Sequence, residues 1–338
     1  MSFQIQLQPG EHQFSISEQE SVLDAALRQG LNFPYGCRSG YCGACKCRLL
    51  NGRVDYATPP EALSVEEMDQ NIVLSCQARA QTDLELQVNL LDANSKLQVK
   101  KLPCRVAGKQ KLTHDVMELG LKLPATERLQ FFAGQYIDFL LADGRRRSFS
   151  IANAPHDDEL IMLHIRHVEG GDFTGHVFNH IKEKDILRIE GPLGGFVLQE
   201  SDRPLLFMAG GTGFAPVKSM IEHLIAEQAG RSIHLYWGAR AKHDLYMHDL
   251  AIHWATQHDH ILYTPVLSAP AVTDDWTGHK GLVHEAIAAE YPDLSGFDIY
   301  ASGPPAMVQA GQSAFLKQGM LRERYFSDAF EFQTPKES

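Results

Sequence analysis

The 338-residue chain lacks the features that assign a protein to several common classes. No apolar run approaches the about 20 residues of a membrane-spanning helix, and Met1–Gly10 lacks the basic and apolar regions of a signal peptide. Its 31 Lys and Arg are outnumbered by 42 Asp and Glu, and the net charge of −11 argues against nucleic acid and anionic membranes as partners. There is no internal repeat and no low-complexity segment. We therefore expect a globular cytoplasmic protein.

Cysteine is scarce, but most of it is clustered. Only six cysteines occur, and in a reducing compartment such residues are metal ligands or core residues more often than disulfides. Four of them follow the spacing C-x4-C-x2-C…C: Cys37, Cys42, Cys45 and Cys76. This spacing is typical of plant-type [2Fe–2S] clusters. The glycines of the same loop are expected to supply unusual dihedrals and to bring N–H groups close to the sulfurs: Gly36, Gly40 and Gly43.

Two other interpretations of the cysteines stay open. Structural zinc more often uses two separated C-x2-C pairs, and four unrelated buried thiols would also give four cysteines. The remaining two residues, Cys47 and Cys104, fall outside the spacing. We expect them to be small buried core residues.

Strand and helix patterns change twice along the chain. Residues 1–93 mix short strands with a helix at Glu20–Gln29, which predicts an α+β unit, and the polar segment Asp92–Lys101 reads as a linker. Residues 101–200 hold short strands separated by turns, which predicts an antiparallel β-barrel. In residues 203–338 apolar strands alternate with helices, as in a parallel α/β sheet. The chain is thus predicted to have three domains of three fold classes.

The predicted barrel carries a candidate flavin site. It is formed by four consecutive residues: Arg147, Ser148, Phe149 and Ser150. Arg147 is suited to the phosphates, Phe149 to the ring or ribityl chain, and Ser150 to the flavin N5. Gly171 and Thr174 lie where the helix of this domain begins, and a helix N-terminus is a second place to hold pyrophosphate.

A strand, a glycine-rich turn and a helix in the third domain predict a nucleotide cradle. The candidate residues of this turn are Gly210, Gly211, Thr212, Gly213 and Pro216. Two further strand ends point to the same crevice, and they contribute Arg240, Ser302, Gly303 and Pro304. Arg240 is placed to face the adenosine ribose or its 2′-phosphate, or is a solvated surface charge.

Taken in this order, the motifs resemble the ferredoxin–NAD(P)H reductase superfamily. They are most similar to its single-chain reductases with an N-terminal plant-type ferredoxin, including CDP-6-deoxy-Δ3,4-glucoseen reductases and reductases of Rieske-type aromatic-ring dioxygenases. The resemblance implies a β-grasp ferredoxin domain. The cofactors that it implies are [2Fe–2S], FAD and NADH, with NADPH as the alternative to NADH. It also implies catalytic roles for Ser150, Ser302 and Phe330. Phe149 stands where many members have tyrosine, and Ser302 where many have cysteine.

The resemblance implies an NADH-dependent electron-transfer reductase. Hydride would pass from NADH to FAD, and single electrons would pass through the cluster to a partner oxygenase or dehydrase. One alternative is a reductase specific to CDP-6-deoxyhexose dehydrase in deoxysugar biosynthesis. Another is a non-enzymatic metal-binding module, against which the complete cysteine set and the intact segment Arg147–Ser150 argue.

Overall fold

The computed structural model describes residues 2–31, 33–36, 38, 40, 43–88, 90 and 97–329. The chain divides into two compact units. The first consists of Met1–Lys96 with Gly194–Phe196, and the second of Leu97–Leu193 with Val197–Ser338. The second unit contains both the antiparallel and the parallel sheet. The three domain boundaries expected from the sequence stay a prediction.

The first unit is built on a mixed sheet. Its elements are β1 (Ser2–Gln8), β2 (Gln13–Ser17), α1 (Val22–Arg28), β3 (Lys46–Asn51), β4 (Val54–Asp55), α2 (Val65–Asp69), β5 (Ile72–Leu74), β6 (Arg79–Ala80) and β7 (Leu84–Gln87). Five strands pair in the order β2-β1-β7-β3-β5, and β4 pairs with β6. β1 is antiparallel to β2 and parallel to β7. This is the predicted α+β arrangement.

Helix α1 forms where the sequence predicts a helix. Ser21 caps its first turn, because the Ser21 hydroxyl accepts the Asp24 N–H at 3.1 Å. The buried face carries Val22 and Leu23 in the first turn and Ala26 in the next. Apolar residues at this spacing lie on one side of a helix, which packs against β2.

The antiparallel sheet of the second unit closes into a barrel. Its elements are β8 (Lys100–Lys111), β9 (Val116–Lys122), β10 (Tyr136–Leu140), β11 (Arg146–Ser150), β12 (Ile161–Arg166), α3 (Asp172–Asn179) and β13 (Ile186–Leu193). The order is β11-β10-β13-β8-β9-β12, and an antiparallel bridge between Ile151 and Leu163 joins its two ends. The predicted barrel class is confirmed.

Strand β8 was not predicted as a strand. It begins inside the segment that the sequence analysis assigned to a linker, because Lys100 and Lys101 make that segment polar. In the barrel, Leu102, Cys104 and Val106 alternate inward while the residues between them face solvent. The alternation begins at Leu102, so the polar start of the strand carries no apolar signal.

The parallel sheet of the second unit has helices between its strands. Its elements are β14 (Leu205–Gly210), α4 (Phe214–Ala226), β15 (Ile233–Ala239), α5 (His248–Gln257), β16 (Ile261–Leu267), β17 (His279–Lys280), α6 (Val283–Glu290), β18 (Asp298–Gly303), α7 (Pro305–Leu316) and β19 (Tyr325–Ala329). Single 3₁₀ turns occupy Gly211–Gly213, Lys242–Asp244, Val272–Asp274 and Arg322–Arg324.

The strand order β17-β16-β15-β14-β18-β19 reverses direction between β14 and β18. All five strand pairs of this sheet are parallel. A sheet of this kind opens a crevice at the carboxyl ends of the strands where the order reverses. The predicted α/β class is confirmed, and the candidate nucleotide turn follows β14, the strand at that point.

A buried cluster of rings joins the barrel to the parallel sheet within the second unit. Phe214 stacks on Trp237 with ring centroids 3.8 Å apart, and the ring of Tyr246 meets Trp237 edge-on at 5.1 Å. His164 on β12 places Nδ1 3.0 Å from the Tyr246 hydroxyl and Nε2 3.6 Å from Glu118. Burial lowers the pKa of His164, and this effect exceeds the opposing one of Glu118.

Among the residues that the structure describes, no helix combines the length and the apolar character needed to span a membrane.

The buried state of His164 predicts acid sensitivity. Its pKa is lower in the folded protein than the value of about 6.5 in an unfolded chain, so the unfolded chain takes up more protons below about pH 6.5 and gains in population. We expect the second unit to unfold at a lower temperature on acidification. The release of flavin on heating would report this unfolding. The shift from pH 7.5 to 5.5 should be smaller in His164→Gln. The exposed His253 provides the control His253→Gln, and equal shifts in wild type and His164→Gln would contradict the assignment.

Candidate functional site

Two of the four clustered cysteines are described, and they lie side by side. Cys45 directly precedes β3 and Cys76 follows β5, its antiparallel neighbour. The Cys45 carbonyl accepts the Ser75 N–H at 3.1 Å, and both thiols are buried and free of disulfides. Cys37 and Cys42 lie outside the described residues. Two buried thiols at neighbouring strand ends fit a thiolate-ligated iron–sulfur cluster.

The described residues of the loop that precedes Cys45 have the backbone that the sequence suggested, with one correction. Gly40 and Gly43 have φ angles of 89° and 73°, in the region that favours glycine. Gly36 does not adopt a positive φ, and Arg38 does instead, with φ 58°. The Arg38 carbonyl accepts the side-chain N–H of Gln77 at 2.8 Å. This bond fixes the turn near Arg38 although the residue is not glycine.

Cys47 and Cys104 behave as core residues. Burial raises the pKa of each thiol to about 12, with the nearby Cys45 adding to the effect at Cys47. A thiol with this pKa stays protonated at neutral pH and makes a poor metal ligand.

Ser150, Ser302 and a residue that the sequence analysis missed converge in the second unit. Ser150 ends β11 and is buried, and its hydroxyl donates to Asp328 Oδ2 at 3.3 Å. Asp328 lies opposite Ser302 in the parallel pairing of β19 with β18. The Ser302 hydroxyl is fully buried and makes no hydrogen bond within the described part of the chain. An unsatisfied buried hydroxyl is suited to a polar atom of a bound cofactor or nucleotide.

The other flavin candidates occupy defined places on the barrel. Phe149 packs against Phe139 and Phe173, with ring centroids 5.8 Å away in each case. The Ser148 hydroxyl donates to Asp138 Oδ1 at 2.6 Å, and Arg147 is half-buried on β11. The flavin contacts expected of Arg147, Ser148 and Phe149 stay a prediction. Phe330, the third expected catalytic residue, lies outside the described residues.

Gly171 and Thr174 shape the start of α3. A Cβ on Gly171 would lie 2.8 Å from Thr174 Oγ1 and 3.0 Å from the Val168 carbonyl. The Thr174 hydroxyl accepts the Val168 N–H at 3.1 Å. Thr174 therefore holds this loop together, and its contact with a cofactor stays a prediction.

The glycine turn after β14 is packed tightly against the end of β18. A Cβ on Gly213 would lie 2.1 Å from the Ser302 carbonyl oxygen, and one on Gly210 would lie 2.5 Å from Met307 Sδ. Gly211 has φ 53°, and its carbonyl accepts the indole N–H of Trp237 at 3.1 Å. Glycine is needed at these positions so that the turn can approach the neighbouring strand.

The remaining candidates follow this turn. Pro216 is the third residue of α4, within the first turn, where a helix does not use the backbone N–H. Gly303 has φ 147° and a Cβ there would lie 3.0 Å from the Gly210 carbonyl oxygen. Pro304 immediately precedes α7. Ser302, Gly303 and the turn are therefore packed directly against one another.

A cavity of about 440 Å³ opens beside the glycine turn. Its walls include the predicted residues Gly210, Gly211, Thr212, Arg240 and Pro304. The residues of the wall that the sequence analysis did not select include Asp115, Arg166, Asp244 and Tyr246. A cleft of this size suits part of a nucleotide.

Two guanidinium groups face the cavity, each beside a carboxylate. Arg166 Nε donates to Asp115 Oδ2 at 2.9 Å, and Arg240 lies 3.6 Å from Asp115 and 3.4 Å from Asp244. An added Cβ on Gly211 would lie 3.5 Å from a terminal nitrogen of Arg166, so this guanidinium borders the glycine turn. Arg166 is thus a second cation suited to nucleotide phosphates, and it is supplied by the barrel.

Family models match three consecutive regions of the chain. Residues 5–81 match a 2Fe-2S iron-sulfur cluster binding domain, residues 103–198 an oxidoreductase FAD-binding domain and residues 207–313 an oxidoreductase NAD-binding domain.

The similarity to known proteins extends over nearly the whole chain, in sequence and in structure. A CDP-6-deoxy-L-threo-D-glycero-4-hexulose-3-dehydrase reductase from Yersinia pestis is 43% identical over 98% of this chain and 99% of its own. A terephthalate 1,2-dioxygenase reductase component from Comamonas sp. is 34% identical over 98% of both chains. Among solved structures, a cytochrome P450 reductase from Amycolatopsis gives a TM-score of 0.80 at 31% identity, covering 97% of this chain and 98% of its own.

The tight packing of the glycine turn predicts the effect of adding one methyl group. We expect Gly213→Ala to lose about 1–3 kcal/mol of stability, because its Cβ would meet backbone atoms of β18 that have little freedom to move. Affinity for NADH should fall as well, since the turn lines the cavity. Gly230→Ala is the matched control, because a Cβ at Gly230 meets no atom within 4 Å. Equal melting temperatures and NADH dissociation constants in the two variants would show that the turn is not constrained in this way.

Proposed function

The chain belongs to the single-chain iron–sulfur flavoprotein reductases of the ferredoxin–NAD(P)H reductase superfamily, and from this premise we propose that its electrons go to a dehydrase or oxygenase component in the cytoplasm. It is an NAD(P)H-dependent oxidoreductase with a [2Fe–2S], an FAD-binding and an NAD-binding domain, and it uses NADH to supply electrons to a partner protein. The predictions of family, fold class, enzyme class and cofactors are therefore confirmed.

The observation that supports the proposed arrangement is the meeting of four strand ends in the second unit. The ends of β11, β14, β18 and β19 bring Ser150, the glycine turn, Ser302 and Asp328 together. When bound, FAD supplies the ability to take an electron pair from a nicotinamide and to release single electrons to an iron–sulfur cluster. We propose that Ser150, oriented by Asp328, contacts the flavin and that Ser302 lies beside the nicotinamide.

The cysteine loop is proposed to hold the cluster through Cys37, Cys42, Cys45 and Cys76. The adjacent burial of Cys45 and Cys76 supports this assignment. We propose that the domain boundaries fall at 1–93, 101–200 and 203–338, which is supported by the separate antiparallel and parallel sheets of the second unit and by the three family matches at residues 5–81, 103–198 and 207–313.

A CDP-hexulose dehydrase is the partner that we favour. The Yersinia pestis dehydrase reductase is 43% identical to this chain, whereas the Comamonas dioxygenase reductase is 34% identical, at similar coverage. The test measures NADH-dependent turnover when the purified chain is mixed with one of two partners. The first partner is a CDP-6-deoxyhexulose dehydrase, and the second is the oxygenase component of a terephthalate dioxygenase, each with its own substrate. Faster NADH-dependent turnover with the dehydrase would support the assignment, and turnover with the oxygenase alone would reverse it.

The Ser150–Asp328 hydrogen bond predicts a kinetic effect without a binding effect. We expect Asp328→Asn to slow flavin reduction by NADH by about tenfold, less than the about 10²–10⁴-fold of a lost proton-transferring group, because Asp328 acts through Ser150. The NADH dissociation constant should stay unchanged, as stopped-flow kinetics over a range of NADH concentrations would show.

A double-mutant cycle tests whether Asp328 acts through Ser150. The effects of Asp328→Asn and Ser150→Ala should be less than additive, because the two side chains share one hydrogen bond. The exposed Asp259 supplies the control Asp259→Asn. Full additivity would mean that the two residues act independently.

Two neighbouring cysteines provide a matched pair for the cluster. We expect Cys45→Ala to lose the iron–sulfur absorption and to slow cytochrome c reduction by well over tenfold, since this acceptor takes single electrons, while ferricyanide reduction by the flavin persists. Cys47→Ala, two residues along and equally buried, should keep the absorption and both activities. Loss of cytochrome c reduction in both variants, or in neither, would refute the ligand assignment.

A further inference from the structure

A group of two histidines and one aspartate lies at the rim of the nucleotide cavity. His114 belongs to the connection between β8 and β9, and His243 and Asp244 belong to the 3₁₀ turn Lys242–Asp244 that follows β15. One ligand atom from each residue lies within 4.8 Å of the other two. Within the described ranges this is the one group of three or more His, Cys, Asp or Glu side chains with such a geometry. We call it the His–His–Asp cluster.

The two carboxylate oxygens of Asp244 have different surroundings. Oδ2 accepts the Ala241 N–H at 3.2 Å and lies 3.4 Å from Arg240 Nε. Oδ1 is buried and makes no hydrogen bond within the described part of the chain. It faces His243 Nε2 at 3.3 Å and His114 Nδ1 at 4.0 Å. A buried carboxylate oxygen without a partner costs free energy, so this oxygen is poised for a cation.

A hydrogen bond from one ring does not satisfy this arrangement as well as a metal ion does. Neutral His243 with its hydrogen on Nε2 can donate to Asp244 Oδ1 from 3.3 Å, but His114 Nδ1 then still faces the same oxygen at 4.0 Å, with the two ring centroids 5.1 Å apart. One metal ion instead accepts a lone pair from each of the two neutral rings and one from the carboxylate oxygen.

We propose that His114, His243 and Asp244 bind a divalent transition metal ion of the Zn²⁺ type. Two imidazoles and one carboxylate are a donor set that suits Zn²⁺, whereas Mg²⁺ and Ca²⁺ prefer oxygen ligands throughout. Metal–ligand bonds of about 2.0–2.2 Å place tetrahedral ligand atoms roughly 3.3–3.5 Å apart. The 3.3 Å between His243 Nε2 and Oδ1 already lies in this range, whereas His114 Nδ1, at 4.0 Å, must come closer by rotation of its ring. All three ligand atoms start within 4.8 Å of one another.

The surroundings of the cluster permit exchange with solvent. The side chains of His114 and His243 are 55% and 62% exposed, so a water molecule can fill the fourth position. His114 Nδ1 also lies 3.1 Å from the Thr113 hydroxyl, a contact that a metal ion would replace. Asp115 Oδ2 lies 3.8 Å from His114 Nε2, on the side where a carboxylate commonly orients a metal-bound histidine. The guanidinium of Arg240 near Oδ2 opposes a second positive charge and keeps the binding reversible.

The test is Zn²⁺ binding to the holoprotein by equilibrium dialysis with elemental analysis. Cluster absorption is followed throughout, so that zinc replacing iron is detected. We expect the His–His–Asp cluster of the wild-type chain to bind one Zn²⁺. The affinity for this ion should be at least about tenfold lower in His114→Ala and in His243→Ala than in wild type. Melting temperatures of these variants should match wild type, because both rings are exposed.

A second histidine pair provides the control. His176 and His180 are exposed and lie 5.5 Å apart, ring centroid to ring centroid, on one side of α3. The double variant His176→Ala/His180→Ala should bind Zn²⁺ like wild type. Absence of zinc binding in wild type, an affinity in the His114 and His243 variants equal to that of wild type, or loss of the bound zinc in the His176/His180 variant alone would each overturn the proposal. None of these outcomes depends on the identity of the electron acceptor.

Discussion

The close approach of Gly213 to the carbonyl of Ser302 is the contact on which the candidate nucleotide and flavin sites of the second unit depend. A side-chain carbon at Gly213 would lie 2.1 Å from that oxygen, so only glycine allows the turn after β14 to reach the end of β18. Because the turn sits there, the cavity opens beside it. Ser302 in turn lies next to Asp328 through the pairing of β18 with β19, and Asp328 accepts the bond from Ser150. A nucleotide turn and a candidate flavin contact are thus fixed by one close approach.

Motifs that are local in sequence were predictable, and contacts between distant segments were not. The cysteine spacing, the segment Arg147–Ser150 and the glycine turn each lie within a short stretch, so residue types alone indicated them. Asp328 is 178 residues from Ser150, and Asp115 is 51 residues from Arg166. Nothing in the surrounding sequence marks these carboxylates. Asp115 meets Arg166 when β9 pairs with β12 inside the barrel, and Asp328 meets Ser150 when the barrel packs against the parallel sheet.

Some residues of the local motifs have structural contacts that the sequence does not indicate. Thr174 was selected as a cofactor residue, and the structure shows its hydroxyl accepting the Val168 N–H within its own loop. Arg38 adopts a positive φ that the sequence analysis assigned to Gly36, because a bond from Gln77 holds the turn. The edge strand β19 was missed for a related reason, as its burial against β18 comes from sheet pairing and not from an apolar run. Composition does not report such tertiary constraints.

Anaerobic titration of the holoprotein with NADH, followed in the visible region, tests the central claim most directly. If one chain carries FAD and a [2Fe–2S] cluster in electronic contact, full reduction takes three electrons, or about 1.5 NADH per chain, and both the flavin and the iron–sulfur absorption bleach. Bleaching that ends at about one NADH per chain, with the iron–sulfur absorption unchanged, would contradict electron transfer from nucleotide to cluster within this chain.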